Sequence, residues 1–188
     1  MNERFKLLEY YLENEEKALF LDIETEGLSK ERNDITVIGI YKENRYFAFV
    51  RGCNFEKVIS HLVQAPIWIT FGGENFDLPF IKKTFIEVSL PKYHIDLYQY
   101  TTLLGLRGGL KKIEKMLGLE RKTDGLTGYD AVKLWKKWQE ERDRSALRKL
   151  LLYNKEDVVN LKSILNFILK KVFYERQPLS LLEGREKR

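Results

Sequence analysis

Acidic residues stand in three separated stretches of this 188-residue chain where a folded protein ordinarily places apolar side chains. The first stretch, ALFLDIET, is a short apolar run that predicts a buried strand and contains Asp22 and Glu24. Because strand side chains alternate between faces, the two carboxylates point to the same face. Two such charges roughly 4 Å apart repel by about 4 kcal/mol at an effective dielectric of about 20. The pair therefore favours a cation bound between them.

The available donor atoms indicate which cation this would be. Mg²⁺ and Mn²⁺ prefer carboxylate oxygens, whereas Zn²⁺ prefers His or Cys ligands. The chain has one Cys and two His, and these residues are not grouped. A hard divalent cation is therefore the favoured ligand. The alternative is that one acid caps the following turn and the other is solvated at the end of the strand.

Two further acids occupy positions that favour a shared site. Asp77 follows the apolar run IWITF and the turn sequence GGENF, at the start of a predicted helix and at the strand edge where open α/β sheets bind ligands. Asp157 belongs to a helical pattern from about 145 to 174, and Tyr153 lies one turn earlier on the same side. A phenol there could hold or deprotonate a water beside a cation. Alternatively, Asp77 complements the helix dipole, and Tyr153 and Asp157 form an ordinary i,i+4 pair.

Together, the three stretches resemble the motifs of the DEDD exonuclease superfamily. DIETEGL resembles the first motif, ENFD the second, and YNKED the third in the Tyr-containing form that defines the DEDDy branch. The spacing agrees, with 55 residues from Asp22 to Asp77 and 80 from Asp77 to Asp157. Within the superfamily, FGGENFDLPFI, HIDLYQ, GLKKIEKMLGLER and TGYDAVKLW resemble stand-alone YprB-type ribonuclease-H-like domains of prokaryotes, over about residues 18 to 170. Glu26 stands where the family more usually has Thr, so an extra acid adjoins the expected site.

This resemblance implies a metal-dependent 3′–5′ exonuclease of the DEDDy type that hydrolyses phosphodiester bonds and releases nucleoside monophosphates. It implies two divalent ions, Mg²⁺ or Mn²⁺, and assigns their binding to four carboxylates: Asp22, Glu24, Asp77 and Asp157. It also implies that Tyr153 orients or helps to deprotonate the attacking water. The alternative enzyme is a structure-specific endonuclease. A non-catalytic nucleic-acid-binding module is the alternative of another class, and it would be marked by a missing carboxylate.

Substrate contacts are expected near the same motifs. By family analogy, Leu28 wedges between terminal bases and Asn75 holds the 3′ end. The aromatic candidates for stacking on bases are Phe71, Phe76, Trp135 and Trp138, although aromatic residues at helical spacing more often belong to a core. The basic residues that line an approach path, or else form solvated helix faces, are Lys82, Lys83, Arg107, Lys111, Lys112, Lys115, Lys133, Lys136 and Lys137. Single-stranded DNA is the expected substrate, with RNA as the open alternative, and the net charge of +5 is compatible with either.

Three further acids are distinct from the four motif carboxylates. Asp96, inside the apparent strand YHIDLY, is expected to be a hydrogen-bonded structural residue, with a supporting role at the site as the alternative. Glu114 and Glu156 are expected to face solvent.

The order of predicted elements indicates a mixed α/β fold. Strands are predicted near 17–24, 35–41 and 45–51 in an antiparallel arrangement, followed by further strands within 67–71 and 93–98. Helices are predicted at 3–14, 54–64, 77–85 and 145–174, and helices dominate the remaining sequence. With the resemblance, this order predicts a ribonuclease-H-like fold, a five-stranded mixed sheet flanked by helices.

The composition predicts one domain over residues 1–188, with a core at about 18–170, an N-terminal helix and a short basic C-terminal tail. No apolar run approaches the roughly 18 residues that cross a bilayer, and the first residues are too charged for a secretory signal. With a lone Cys, these features favour cytoplasmic residence and no membrane partner. Self-association is expected from the amphipathic first helix and the apolar C-terminal stretch.

Overall fold

The computed structural model describes residues 3–175, which form five strands and seven α-helices. The strands are Ala18–Thr25 (β1), Ile35–Lys42 (β2), Arg45–Val50 (β3), Ile67–Thr70 (β4) and Tyr93–Asp96 (β5). The helices are Glu3–Glu13 (α1), Val58–Gln64 (α2), Asp77–Thr84 (α3), Leu97–Leu103 (α4), Leu110–Met116 (α5), Gly128–Glu141 (α6) and Arg144–Leu169 (α7). Short 3₁₀ turns at Glu15–Lys17 and Phe55–Lys57 and a π-helical turn at Lys170–Tyr174 complete the described elements.

One mixed sheet organises the fold, with strand order β3-β2-β1-β4-β5. β1 pairs antiparallel with β2, and β2 with β3, whereas β1 pairs parallel with β4, and β4 with β5. The predicted sheet of three antiparallel strands followed by parallel strands is therefore confirmed. β1 lies at the centre and is covered on both faces, which explains its nearly continuous apolar sequence.

Alternation along β1 decides which face receives the acids. Leu19, Leu21 and Ile23 enter one core cluster with residues of α2 and α3. Phe20 enters a second cluster, which is built largely by α1, α4 and α7. Because strand side chains alternate, Asp22 and Glu24 continue the face of Phe20 and point towards α7.

Helix α7 covers that face of the sheet for 26 residues. Its first turn is capped by Asp143, whose Oδ1 accepts hydrogen bonds from the backbone N–H groups of Ser145 and Ala146. The residues that α7 buries are Ala146, Leu150, Tyr153, Asn154, Asp157, Val158, Leu161, Ile164, Leu165, Ile168 and Leu169. The polar members are therefore held on the same buried stripe as the leucines and isoleucines, which fixes where their side chains end.

A close approach between α7 and β2 depends on Gly39. This glycine is the β2 partner of Asp22, and a Cβ atom built on it would lie 2.0 Å from Oδ1 of Asn154. Only a residue without a side chain permits that contact, which is a recognised reason for glycine in a strand interior. The helix can therefore place Asn154 directly against β1 and β2.

Among residues 3–175, no helix is both long and apolar enough to traverse a lipid bilayer. The basic C-terminal tail that the sequence predicts lies beyond residue 175 and so outside the described residues.

Replacing Gly39 tests this packing. Gly39→Ala is expected to lower the free energy of unfolding by about 1–3 kcal/mol, because the new methyl group displaces Asn154. The cost should shrink in an Asn154→Ala background, since the obstructing side chain is then absent. Urea unfolding of the two single variants and the double variant measures the coupling. Gly128→Ala is the matched control, because a Cβ there meets nothing within 4 Å. Wild-type stability in Gly39→Ala would contradict the assignment.

Candidate active site

Three carboxylates converge where β1 meets α7. One oxygen each from Asp22, Glu24 and Asp157 lies within 4.8 Å of the other two. Glu24 and Asp157 are buried and Asp22 is partly buried. The structure therefore brings together acids separated by more than 130 residues, and it does so through the strand alternation and the buried helix stripe described above.

Asp77 adjoins this group without being one of its three members. It is the first residue of α3, and its Oδ1 accepts a 3.2 Å hydrogen bond from the backbone N–H of Ile23, the residue between Asp22 and Glu24. Its side chain is buried, and this burial raises the pKa of its carboxyl group to about 7. The fourth acid is thus tied directly to the strand that carries the first two.

Asp96 stabilises the loop between β4 and α3, which precedes Asp77. Oδ1 of Asp96 accepts hydrogen bonds from the backbone N–H groups of Gly72 at 2.6 Å and Tyr98 at 3.1 Å. Its Oδ2 accepts another from the N–H of Glu74 at 3.2 Å. These hydrogen bonds agree with the structural role expected for Asp96. Because the loop leads into α3, they also help to position Asp77 at the start of that helix.

The carboxylate group is electrostatically strained in a way that fits a divalent cation. Burial, followed by the charge of Asp157, raises the pKa values of Asp22 and Glu24 well above their ordinary range. Burial also raises the pKa of Asp157. All the donors in this group are carboxylate oxygens. Such oxygens suit Mg²⁺ or Mn²⁺ as ligands.

Asn154 is a site residue that the sequence reasoning missed. Its Nδ2 donates to Oδ2 of Asp22 at 2.8 Å and to Oε1 of Glu24 at 3.4 Å. Its Oδ1 accepts a 2.9 Å hydrogen bond from the hydroxyl of Tyr46. The carboxamide therefore orients both acids and stabilises their charged forms. Gly39 in the middle of the predicted strand β2 was the available signal, since a strand glycine marks a close approach.

Arg121 is a second missed residue, and it places a fixed positive charge beside Asp157. Its Nη1 lies 2.5 Å from Oδ1 of Asp157 and donates to both carboxylate oxygens of Glu114 at 2.8 Å. Only 5% of the Arg121 side chain and 1% of the Glu114 side chain are exposed. Glu114 can be buried because Arg121 neutralises its charge and because the side chain of Asn160 donates a 2.8 Å hydrogen bond to its Oε1.

The expectation that Glu114 and Glu156 face solvent is therefore wrong. Glu156 accepts hydrogen bonds from the backbone N–H groups of Lys122 at 2.7 Å and Thr123 at 3.1 Å, which ties the segment after α5 to α7. No local sequence pattern could have identified these pairs, because each partner lies on a different element.

Tyr153 and Lys111 form the remaining polar wall of the site. The Nζ of Lys111 donates to the hydroxyl oxygen of Tyr153 and lies 3.7 Å from Oδ2 of Asp157. Burial, and then the charges of Asp157 and Glu24, raise the pKa of the Tyr153 phenol above its ordinary value. The phenol therefore stays protonated at neutral pH and acts as a hydrogen-bonding group.

A cleft of about 570 Å³ is lined by the three carboxylates, Asp22, Glu24 and Asp157, and by Tyr153. Leu28, whose side chain is 88% exposed, and Phe76 both line it, and their contacts with substrate stay predictions. Asn75 is exposed and is not among the residues that line it, so its role at the 3′ end stays a prediction.

The other proposed stacking residues lie elsewhere. Trp135 is 4% exposed and packs in the core with Trp138, while Phe71 packs edge-on against Tyr98. None of these three lines the cleft. Both tryptophans pack between α6 and α7. Aromatic residues at helical spacing commonly belong to a core in this way.

Leu28 is presented by an ordered loop between β1 and β2. The extra acid of that loop, Glu26, pairs with Arg51, and this contact lowers the pKa of Glu26. At the far end of the loop, Asp34 pairs with Lys83 at 2.8 Å. Glu26 is therefore neutralised by the protein itself and braces the loop that carries Leu28.

Comparison with known proteins identifies the family. Residues 19–169 match the family model described as the RNase_H superfamily, and the chain belongs to this superfamily. No curated protein sequence matches the chain significantly.

Solved structures share the fold at low sequence identity. NrnC of Brucella melitensis bound to pGG has a TM-score of 0.58 and 19% identity, covering 89% of this chain and 80% of NrnC. NrnC with bound Mg²⁺ has a TM-score of 0.56 and 19% identity, with the same coverage of 89% and 80%. The family B DNA polymerase of Pyrobaculum calidifontis has a TM-score of 0.60 and 16% identity over 88% of this chain. This chain spans only 26% of that polymerase.

The buried pair of Arg121 and Glu114 gives a stability test. Arg121→Met should destabilise the fold by about 3–5 kcal/mol, because Glu114 and Asp157 lose the cation that compensates their burial. Chemical unfolding without divalent metal measures this cost. Arg148→Met is the matched control, since Arg148 is exposed on α7 and should change stability by less than about 0.5 kcal/mol. A small effect of Arg121→Met would show that its charge is not needed.

Asp77 gives a pH test. Its pKa in the folded protein is raised to about 7, above the roughly 3.9 of an unfolded Asp. The stability that neutral Asp77 contributes is therefore complete below about pH 4 and lost as the pH rises through 7. In EDTA, Asp77→Asn should match the wild type near pH 4 and exceed its stability above pH 7 by at most about 4 kcal/mol. Unfolding curves measured from about pH 4 to above pH 7 give the difference in stability between Asp77→Asn and the wild type. A difference that did not change with pH would refute the raised pKa of Asp77. Glu16→Gln, on the surface, is the control.

Proposed function

We propose that this protein is a metal-dependent 3′–5′ exonuclease of the DEDDy type that hydrolyses phosphodiester bonds and releases nucleoside monophosphates. The observation that carries the proposal is the convergence of Asp22, Glu24 and Asp157 within 4.8 Å at a cleft of about 570 Å³. Asp77 is one hydrogen bond from the same strand. Membership of the RNase_H superfamily supports hydrolysis of nucleic acid as the reaction class.

The four acids Asp22, Glu24, Asp77 and Asp157 would hold two divalent ions, Mg²⁺ or Mn²⁺. When bound, these ions supply Lewis-acid chemistry that lowers the pKa of a water and stabilises negative charge on the leaving 3′ oxygen. Asn154 orients Asp22 and Glu24 for metal binding by donating hydrogen bonds to both carboxylates. Arg121 engages Oδ1 of Asp157, which leaves Oδ2 as the freer donor.

Tyr153 orients the attacking water. Lys111 donates to the phenolic oxygen, so the phenolic proton remains available for donation to a neighbouring acceptor. The raised pKa of the phenol disfavours a phenolate in the absence of metal, and the work of Tyr153 is therefore positioning. Lys111 is 39% exposed and lies 3.7 Å from Oδ2 of Asp157, so its positive charge would be available to a phosphate bound beside the carboxylates.

Single-stranded DNA is the preferred substrate, with RNA as the alternative. The carboxylates lie in a cleft with apolar walls, into which an unpaired 3′ end fits more readily than a paired one. Leu28 would wedge between terminal bases, Phe76 would contact a base, and Asn75 would hold the 3′ end. The structural neighbour NrnC binds pGG, which supports a nucleic-acid ligand for this fold. Cytoplasmic residence and self-association remain predictions.

Substitution of one carboxylate tests the reaction. Asp22→Asn should lower the rate by at least about 10³-fold without a change in the circular-dichroism spectrum, because it removes charge and not packing. The assay incubates the protein with Mg²⁺ or Mn²⁺ and with 3′- or 5′-labelled DNA and RNA, single- and double-stranded. Glu16→Gln removes a carboxylate from the surface and should retain full activity.

Product length separates the alternatives. Mononucleotides released from a 3′ label, with a descending ladder from a 5′ label, support exonuclease action. Internal fragments would indicate an endonuclease, and binding without turnover a non-catalytic module. Full activity of Asp22→Asn would reject the site.

A further inference from the structure

Helix α6 supplies a wall of the cleft that contains none of the four carboxylates. Its contributions are Tyr129, Val132 and Lys136, together with Gly128 at its start. Spacings of three and seven residues place the three side chains on one face of a helix. The same cleft is lined by Leu28 and Phe76 from two other elements and by Asp22, Glu24 and Asp157. Aromatic, aliphatic and cationic groups therefore meet around the carboxylates.

Tyr129 has no role in the core that would explain its type. The buried residues of α6 are Ala131 and Trp135, whereas Tyr129 is 68% exposed. The Nζ of Lys133 lies 4.3 Å from the centre of the Tyr129 ring, which steadies the ring without covering it. The helix start is also fixed, because Thr127 and Asp130 form a reciprocal capping box around Tyr129. An exposed aromatic ring is thus held at a defined place in the cleft.

We infer that Tyr129 is a base-stacking residue that binds the terminal nucleoside of a single-stranded nucleic acid. The inference rests on the proposed function and specifies its substrate. Stacking on an aromatic side chain needs a base that has left its pair, so this wall selects an unpaired end. Lys136 lies seven residues further along the same face, where its charge can meet the nucleic-acid backbone.

A binding measurement tests the inference without turnover. The full chain carries Asp22→Asn, and the ligand is a single-stranded oligonucleotide with 2-aminopurine as its 3′-terminal base, in Mg²⁺. Quenching of 2-aminopurine fluorescence reports stacking of that base. Tyr129→Ala should weaken binding about tenfold and reduce the quenching, whereas Tyr129→Phe should bind within about twofold of its parent, since it keeps the ring. Tyr174→Ala is the matched control, because Tyr174 is 84% exposed and does not line the cleft.

A second ligand makes the test specific to the base. An oligonucleotide with an abasic 3′ terminus should bind the Tyr129→Ala protein and its parent equally, because the partner of the ring is gone. Equal weakening by Tyr129→Ala for both ligands would overturn base stacking, as would unchanged affinity for the 2-aminopurine ligand.

Kinetics separate this inference from the proposed function. In the otherwise wild-type protein, Tyr129→Ala should raise KM about tenfold and change kcat by less than about threefold. Nuclease activity that is lost in Asp22→Asn but has an unchanged KM in Tyr129→Ala would refute the stacking role alone. Absence of nuclease activity in the wild type would refute the proposed function, while the fluorescence measurement still decides the stacking.

Discussion

Packing three carboxylates into one small volume opposes their ionisation, and the neighbouring side chains compensate for it. Burial and mutual repulsion both oppose ionisation of Asp22 and Glu24. The compensation comes from three directions: the carboxamide of Asn154, the guanidinium of Arg121 and the ammonium of Lys111. None of these groups removes the negative charge altogether, which leaves a site that favours small cations of high charge.

The positions of β1, α5 and α7 follow from the need to bring the carboxylates together and to compensate their charge. β1 lies at the centre of the sheet, and apolar clusters cover both of its faces beside the acids. α7 packs close to β2 because Gly39 presents no side chain, and this approach brings Asn154 and Asp157 within reach of β1. α5 and the segment that follows it add the compensating cations.

The sequence predicts the features that depend on local side-chain patterns, and it does not predict those that depend on tertiary contacts. The strands, the long helix and the acids in them follow from side-chain periodicity, which a short window of sequence contains. Glu114 is buried because it pairs with Arg121, which also contacts Asp157 of α7, and this tertiary contact leaves no signal in the sequence around Glu114. Trp135, a stacking candidate by its residue type, is buried, whereas Tyr129 on the same helix is exposed. Aromatic type alone does not determine which face of α6 meets solvent.

The continuity of α7 has a further consequence. One unbroken helix carries Tyr153, Asn154 and Asp157 and also the leucines and isoleucines that fill the centre of the molecule. Its buried turns cannot open without breaking that apolar packing, so they belong to the slowest-exchanging part of the fold rather than to a mobile rim. On heating, the acidic centre is therefore expected to survive as long as the fold itself and to disappear in the same cooperative transition.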